Sequence, residues 1–366
     1  MTRETPLHAL HERLGASFTD FAGYQMPVRY TSDLAEHHAV RTSAGLFDLS
    51  HMAEIDIQGT DADSYLDYAL SNTLSALVLG QAKYSLLLAE DGGVIDDLIV
   101  YRLGENHYLI VANAANRDAA VAALSARASG FDVSVTDSSD DWALIALQGP
   151  RAAGILESSS VTLVSPLADL RYYRIIDGRF EGHEILVART GYTGEDGMEI
   201  FIRSSSAEAL WSHLMEVGGA DLTLCGLACR DTLRLEAGMP LYGHELSREV
   251  TPAQAGLQAV VVNTKESFVG KDTAVAVKSS RVLVGLVAEG KRAARAGYPV
   301  TDSNGLVIGE VTSGALSPTL GYPIAMAFVE DSYREPGTEL FVDVRGASLP
   351  VTVTTLPFYS RKKVSS

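Results

Sequence analysis

Apolar and polar positions change period repeatedly along the first three quarters of the chain, which predicts helices and strands in mixture. "TPLHALHERLG" (5–15) carries a short helical pattern stopped by Gly15. "SDLAEHHAVRTSAG" (32–45) carries a second, with Ser32 able to cap and Gly45 able to stop it. "MAEIDIQG" (52–59) alternates like a strand, and "DADSYLDYAL" (61–70) follows with an Asp cap and helical spacing. "KYSLLLAEDGGVIDDLIVYRL" (83–103) places two apolar runs around Glu-Asp-Gly-Gly and predicts a hairpin. "HYLIVANAA" (107–115) is a strand leading into the helix "NRDAAVAALSARA". "WALIALQGP" (142–150) is a strand ending in a Gly-Pro turn, with a helix after it. "HEILVARTGYTGEDGMEIFIR" (183–203) is strand, glycine-rich turn, strand. "SAEALWSHLMEVGG" (206–219) is a capped amphipathic helix, and "GLACRDTLRLEAGMPLYG" (226–243) a helix ended by Gly238 and Pro240.

From about Arg281 the pattern shifts to short strands separated by Gly, Pro, Asn and Asp turns: "RVLVGLVAE", "YPVTDSNGLVIGEVTSG", "IAMAFV", "TELFVDVRG" and "LPVTVTTLPF". That regular spacing predicts a small β-barrel and a domain boundary near residue 278.

Composition narrows the class. The 366 residues are 46% hydrophobic, enough for a sizeable core and more than one domain. No apolar run reaches the length of a membrane-spanning helix, and the N-terminus has no apolar targeting core, so a soluble cytoplasmic protein is expected. A net charge of −17 disfavours nucleic acid and anionic membranes as partners. Anionic ligands must then be met by local cations, such as "GKRAARAGY" (290–298) or the tail "YSRKK" (359–363). The two cysteines, Cys225 and Cys229, are too few for a disulfide framework or a structural zinc site and read as small half-buried helix residues. No phosphate-binding loop occurs, and "GYTGEDG" leads into a strand where a dinucleotide fingerprint needs a helix.

The candidate chemistry begins with Asp96 and Asp97, adjacent carboxylates inside an apolar strand. Alternation puts Val94, Asp96, Leu98 and Val100 on one face and Ile95, Asp97, Ile99 and Tyr101 on the other. Both faces are apolar, so at least one carboxylate points inward, where a raised pKa suits acid–base work or holding an amine. A carboxylate tying down backbone N–H groups fits the same pattern, and alternation cannot choose between the two. Glu199 is another carboxylate among apolar strand residues. Buried, it can accept two parallel N–H bonds from an amidine-like edge; solvated, it is part of an acidic hairpin. Arg230 and Arg234, four apart, share a helix face that can clamp an anion or pair with surface acids. His37, His38 and His51, with Glu36 and Asp48 nearby, do not suggest a metal site, because His37 and His38 point apart on their helix.

The motifs in combination carry more than any one alone. "TPL…FAGYQMPVRY", "HHAVRTSAGLFDLSHM", "GGVIDDLIVYR", "LQGP", "RTGYTGEDGMEI", "RDTLRLEAGMPLYG", "FVGK" and "TSGALSPTLGYPIA" occur in that order between Thr5 and about Tyr359. Together they resemble the folate-dependent aminomethyltransferase family of the glycine cleavage system, the T-proteins. The resemblance implies an α+β fold: a three-domain cloverleaf with two mixed α/β folate-binding lobes around a central channel and a small C-terminal β-barrel. The lobes would be roughly 1–50 plus 140–278, and 51–139, with the barrel domain at 279–366. It implies transfer of the methylene of an aminomethyl-lipoyl H-protein to tetrahydrofolate, giving 5,10-methylenetetrahydrofolate, ammonia and dihydrolipoyl H-protein, with no metal. It implies functional association with the decarboxylase and dihydrolipoyl dehydrogenase components.

Carried over by motif, Asp97 matches the family's catalytic aspartate and Asp96 its structural neighbour. Glu199 matches the pterin-binding glutamate and Arg230 a folate-binding arginine. Tyr84, Asn113 and Tyr192 resemble channel-lining positions, and Arg361 a C-terminal basic ligand. Pro240, His244, Ser247 and Cys229 depart from the family's common residues beside the chemistry. Lys291, Arg292 and Arg295, a rare basic cluster, are the expected docking patch for an acidic H-protein. A related folate-dependent demethylase and a non-catalytic folate-binding or iron–sulfur-assembly relative are the alternatives; the complete "GGVIDDLIVYR", "RTGYTGEDG" and "RDTLRLEAG" set argues against both. A pure interaction module is disfavoured by so many polar groups in apolar strands.

Overall fold

The computed structural model describes residues 2–276 and 279–361. The boundary expected near residue 278 lies outside the described residues. The chain forms two compact units, one of residues 1–85 and 97–230, the other of 86–96 and 231–366.

The first unit is built on a seven-stranded sheet. Its order is Thr162–Leu163, Ile175–Phe180, His183–Ala188, Gly197–Arg203, Trp142–Gln148, Ala44–Asp48, Leu222–Leu224, antiparallel except for the last pair. The apolar face of helix Ala207–Gly218 buries Leu210, Trp211 and Leu214 in one core with Ile145, Leu147, Val187, Ile200 and Ile202. The i, i+4 spacing of Leu210 and Leu214 lays both on the sheet side, as its sequence pattern predicts. The expected Ser206 side-chain cap is absent; a 3-10 turn, Ser204–Ser206, runs into the helix instead. A five-stranded antiparallel sheet has the order Ala82–Leu88, Val94–Gly104, His107–Ala112, Ala53–Gln58, Ser134–Asp137, and its first two strands are the predicted hairpin pair.

Three features of the first fifty residues differ from the sequence reading. Ser17–Phe21 and Tyr24–Arg29 pair as a hairpin. Helix Asp33–Thr42 is capped by Ser32 as expected, but it ends at Ser43. Gly45 therefore sits inside strand Ala44–Asp48, in the middle of the large sheet, rather than stopping the helix.

In the second unit six strands close the predicted barrel: Arg281–Val287, Pro323–Glu330, Val307–Leu316, Pro299–Thr301, Glu339–Val344 and Ala347–Thr354. Alternate residues face inward, and the β-branched set Val284, Val300, Ile308, Val311, Val329, Val342, Val351 and Val353 fills most of the core. Arg234 is buried against Glu245 (3.1 Å) and donates to the Ser313 hydroxyl (2.8 Å), while the Glu236 carboxylate accepts from Ser317 (2.5 Å) and the Thr319 N–H (3.0 Å). Of the two helical arginines, Arg234 thus serves the packing of helix against barrel.

Candidate functional site

Strand Val94–Gly104 separates its two aspartates as alternation requires. Asp96 is fully buried, and Asp97 is half-buried on the opposite face. The Tyr84 phenol donates to Asp97 Oδ2 (3.0 Å), and the Asn113 amide donates to its Oδ1 (2.9 Å) and to its backbone carbonyl (3.0 Å). Those bonds favour the carboxylate, but desolvation outweighs them and lifts the Asp97 pKa to about 6. Such a group can change protonation near neutral pH, which suits proton transfer. The adjacent strand ends supply Tyr84 and Asn113, so three of the residues singled out in the sequence form one hydrogen-bonded cluster.

A second cluster stands on strand Gly197–Arg203 and the turn before it. The Glu199 carboxylate is buried and accepts from the Thr190 hydroxyl; burial raises its pKa, opposed by that bond and by the Arg230 charge. Arg230, on helix Leu227–Glu236, lies 4.8 Å from the centre of the Tyr192 ring, a cation–π contact, and burial depresses its pKa. The two clusters are coupled electrostatically. Tyr84 feels Tyr192, and the Tyr173 phenol is pushed up by burial together with both Glu199 and Asp97.

The turn itself is tightly specified. Arg189 pairs with Asp196 through two bonds (3.0 and 2.5 Å), and Arg41 donates to the Thr193 carbonyl (2.7 Å) and to Glu195 (3.0 Å). Buried Gln148, from "LQGP", donates to the carbonyls of Thr190 (3.1 Å) and Met198 (3.3 Å) and accepts from Thr193 (2.9 Å). A Cβ on Gly191 would lie 2.1 Å from Gln148 Oε1, and one on Gly197 2.6 Å from the Leu147 carbonyl. Glycine at these two positions is therefore a packing requirement.

Sequence reasoning missed two residues here, Tyr173 and Thr190. Tyr173 holds φ of +60°, a strained setting for a bulky residue, and lies in a stretch with no periodic pattern. Thr190 sits among the quoted motif residues, but nothing in its spacing marks it. His51 is buried, its Nδ1 has no partner, and burial holds its pKa down at about 4, with the nearby Arg230 charge adding to the depression against Asp48. The acids once grouped with it are engaged elsewhere: Glu36 accepts from three backbone N–H groups (Tyr30, Thr31, Gly226), and Asp48 from Thr5 and Ser50, with His11 also in hydrogen-bond contact. Among the described residues no group of three or more His, Cys, Asp or Glu could hold a metal ion. Cys225 and Cys229 are buried thiols outside any disulfide, and Cys225 is pushed well above the usual thiol pKa by burial. Arg361 is exposed, belongs to the second unit and lies past its last strand. Lys291, Arg292 and Arg295 cap barrel carbonyls, those of Gly321, Val344 and Gly314.

Residues 7–265 match the GCVT N-terminal domain, and residues 281–360 match the glycine cleavage T-protein C-terminal barrel domain. The chain belongs to the T-protein family. It is 57% identical to the aminomethyltransferase of Cutibacterium acnes, covering 98% of this chain and 99% of that one. It is 54% identical to that of Saccharopolyspora erythraea, covering 98% of each. The glycine cleavage system aminomethyltransferase T of Bartonella henselae superposes with a TM-score of 0.92 at 38% identity, over 98% of both chains. T-proteins are the aminomethyltransferases of the glycine cleavage system, so this family member is a transferase, with tetrahydrofolate as the co-substrate that follows from the family.

Proposed function

We propose that Asp97 is the group through which this aminomethyltransferase handles the proton that its two substrates exchange. One observation carries the reading: a carboxylate with its pKa lifted to about 6, held on one oxygen by Tyr84 and on the other by Asn113. In the reaction, two C–N bonds form from the methylene carbon to the folate amines. The C–N bond to the departing ammonia and the C–S bond to the lipoyl sulfur break. The two folate amine protons end on ammonia and on the freed thiol. Ionised Asp97 accepts a proton from a folate amine and stabilises positive charge developing on the methylene carbon, and in its neutral form it returns that proton to a leaving group.

Glu199 and Arg230 offer an acceptor-only and a donor-only group of the kind a pterin edge can meet. Tyr192, Tyr84 and Asn113 line the folate site. The methylene donor is the lipoyl arm of the H-protein. It docks on Lys291, Arg292 and Arg295, which have no carboxylate partner among the described residues. The decarboxylase and dihydrolipoyl dehydrogenase components act on the same carrier, in the cytoplasm. No helix among the described residues is long and apolar enough to cross a membrane. The domain division at about residue 278 is supported by the separate family matches over 7–265 and 281–360, and the lobes of roughly 1–50 plus 140–278 and 51–139 by the origin of the strands. The seven-stranded sheet draws on residues 44–48 and 142–224, the five-stranded one on 53–137.

The test compares Asp97→Asn with Asp96→Asn in ammonia release from aminomethylated H-protein plus tetrahydrofolate. Asp97→Asn is expected to lower turnover by about 100-fold or more while binding tetrahydrofolate within a few-fold of the parent. Turnover near the parental rate in Asp97→Asn removes the residue from the mechanism.

A further inference from the structure

The Glu199 carboxylate is held by a chain of two hydroxyls whose direction can be worked out. Thr190 has a single hydroxyl proton, and it donates to Glu199 Oε2. Its oxygen lies 3.1 Å from the Tyr101 phenol oxygen. With its single proton committed to the Glu199 carboxylate, Thr190 can only accept from the phenol, so Tyr101 must be the donor to Thr190. The order is therefore Tyr101 O–H to Thr190 O–H to Glu199.

Neither hydroxyl is free to swing away. Tyr101 is buried, with its ring edge-on to Phe201 at 5.8 Å. Thr190 is buried, and its backbone is fixed by the Gln148 amide on its carbonyl (3.1 Å). The Gln148 amide is held in turn by its bonds to Met198 and Thr193, in space that Gly191 and Gly197 leave open. The charged and titratable groups facing Glu199 are Arg230 from helix Leu227–Glu236, Tyr101 from strand Val94–Gly104 and Tyr173.

We propose that Tyr101 and Thr190 are positioning residues: their one-way hydrogen-bond relay fixes the orientation and charge of Glu199 for the pterin edge of tetrahydrofolate. This rests on the reading of Glu199 as the folate carboxylate. The relay occupies one lone pair of Oε2 and leaves the remaining acceptor sites of the carboxylate for the ligand. Without Thr190 the carboxylate loses a bond to its charged form, so its pKa climbs further and it protonates at a higher pH.

The experiment measures tetrahydrofolate affinity by titration calorimetry across pH for the parent and for Thr190→Val, Thr190→Ser, Tyr101→Phe and Glu199→Gln, with thermal unfolding of each. Thr190→Val is expected to bind about tenfold more weakly, as loss of a hydrogen bond to a charged group implies. The acid limb of its affinity should move to higher pH. Thr190→Ser should recover both, and Tyr101→Phe should show a smaller loss in the same direction. Parental affinity and an unmoved acid limb in Thr190→Val, or a failure of serine to rescue while the protein is folded, overturns the relay. If Thr190→Val does not fold, Tyr101→Phe and Thr190→Ser decide: parental binding in the first, or loss of binding in the second, overturns it. Parental binding in Glu199→Gln overturns instead the assignment of Glu199 to folate.

Discussion

Asp97, Glu199, Glu54 and His51 are all titratable groups in apolar surroundings, yet their partners set them apart. Asp97 has two neutral donors and a pKa near 6, so turnover should fall as pH drops through about 6, a limb that a pH–rate profile reads directly. The same shift has a cost in stability. A carboxyl whose folded pKa exceeds its unfolded value binds more protons in the native state between about 4 and 6, so its contribution declines as pH rises through that window. Asp97→Asn should therefore be more stable than the parent at neutral pH by ~1–3 kcal/mol, measured by denaturant unfolding. Equal midpoints at pH 7.5 would count against the buried charge. Glu54 is the sharper case: fully buried, both carboxylate oxygens without partners, and held well above the usual range by burial. Its sign is the same. Glu54→Gln should raise the unfolding midpoint, and the gain should grow as pH rises above the ordinary carboxylate range; a pH-independent effect would contradict it. Only part of this was legible in the sequence. The alternation of "VIDDLIVY" separates the two aspartates by face but says nothing about which face carries Tyr84 and Asn113, because that depends on the register of the neighbouring strands. Tyr173 and Thr190 were invisible for the same reason: a left-handed tyrosine and a relay hydroxyl are defined by what surrounds them.

At the scale of elements, the turn between strands His183–Ala188 and Gly197–Arg203 is where sequence and packing agree most closely. The glycine spacing of "GYTGEDG" announces a turn, and the reason for two of its neighbouring glycines is the Gln148 amide and the adjacent backbone. Gly197→Ala forces a Cβ against a backbone carbonyl that cannot move aside, so a loss of ~2 kcal/mol or more is expected in urea unfolding. Gly191→Ala clashes with a side chain instead. Its cost should shrink in a Gln148→Ala background, and a double-mutant cycle with no coupling would dismiss the clash. The elements that pattern failed to find share a cause. Hairpin Ser17–Phe21 and Tyr24–Arg29 is only partly buried and lacks clean alternation. Strand Ala44–Asp48 is buried throughout, so it has no alternation to display, and its Gly45, pressed against Val40 and Cys225, imitates a helix stop.

For the whole molecule, a net charge of −17 makes each uncompensated basic cluster conspicuous. Reversing Lys291, Arg292 and Arg295 together should weaken H-protein binding several-fold at low ionic strength, with the difference shrinking as salt rises, as surface plasmon resonance at two salt concentrations would reveal. Unchanged affinity at low salt rejects that patch. The barrel was the most legible part of the fold, because short strands punctuated by turns repeat along one continuous segment. The seven- and five-stranded sheets were less so, since the larger one inserts Ala44–Asp48 between strands that come a hundred residues or more later.

The two buried cysteines turn the molecule into its own reporter. Both thiols are sealed from solvent, they are the chain's whole complement of cysteine, and Cys229 directly precedes Arg230. An alkylating reagent can reach them only when the segment around helix Leu227–Glu236 opens, so the labelling rate counts those openings in an unmodified protein. Ligand bound to the closed form alone suppresses opening in proportion to its occupancy ratio. Slowed alkylation would then give a folate affinity with no catalytic assay and no engineered probe.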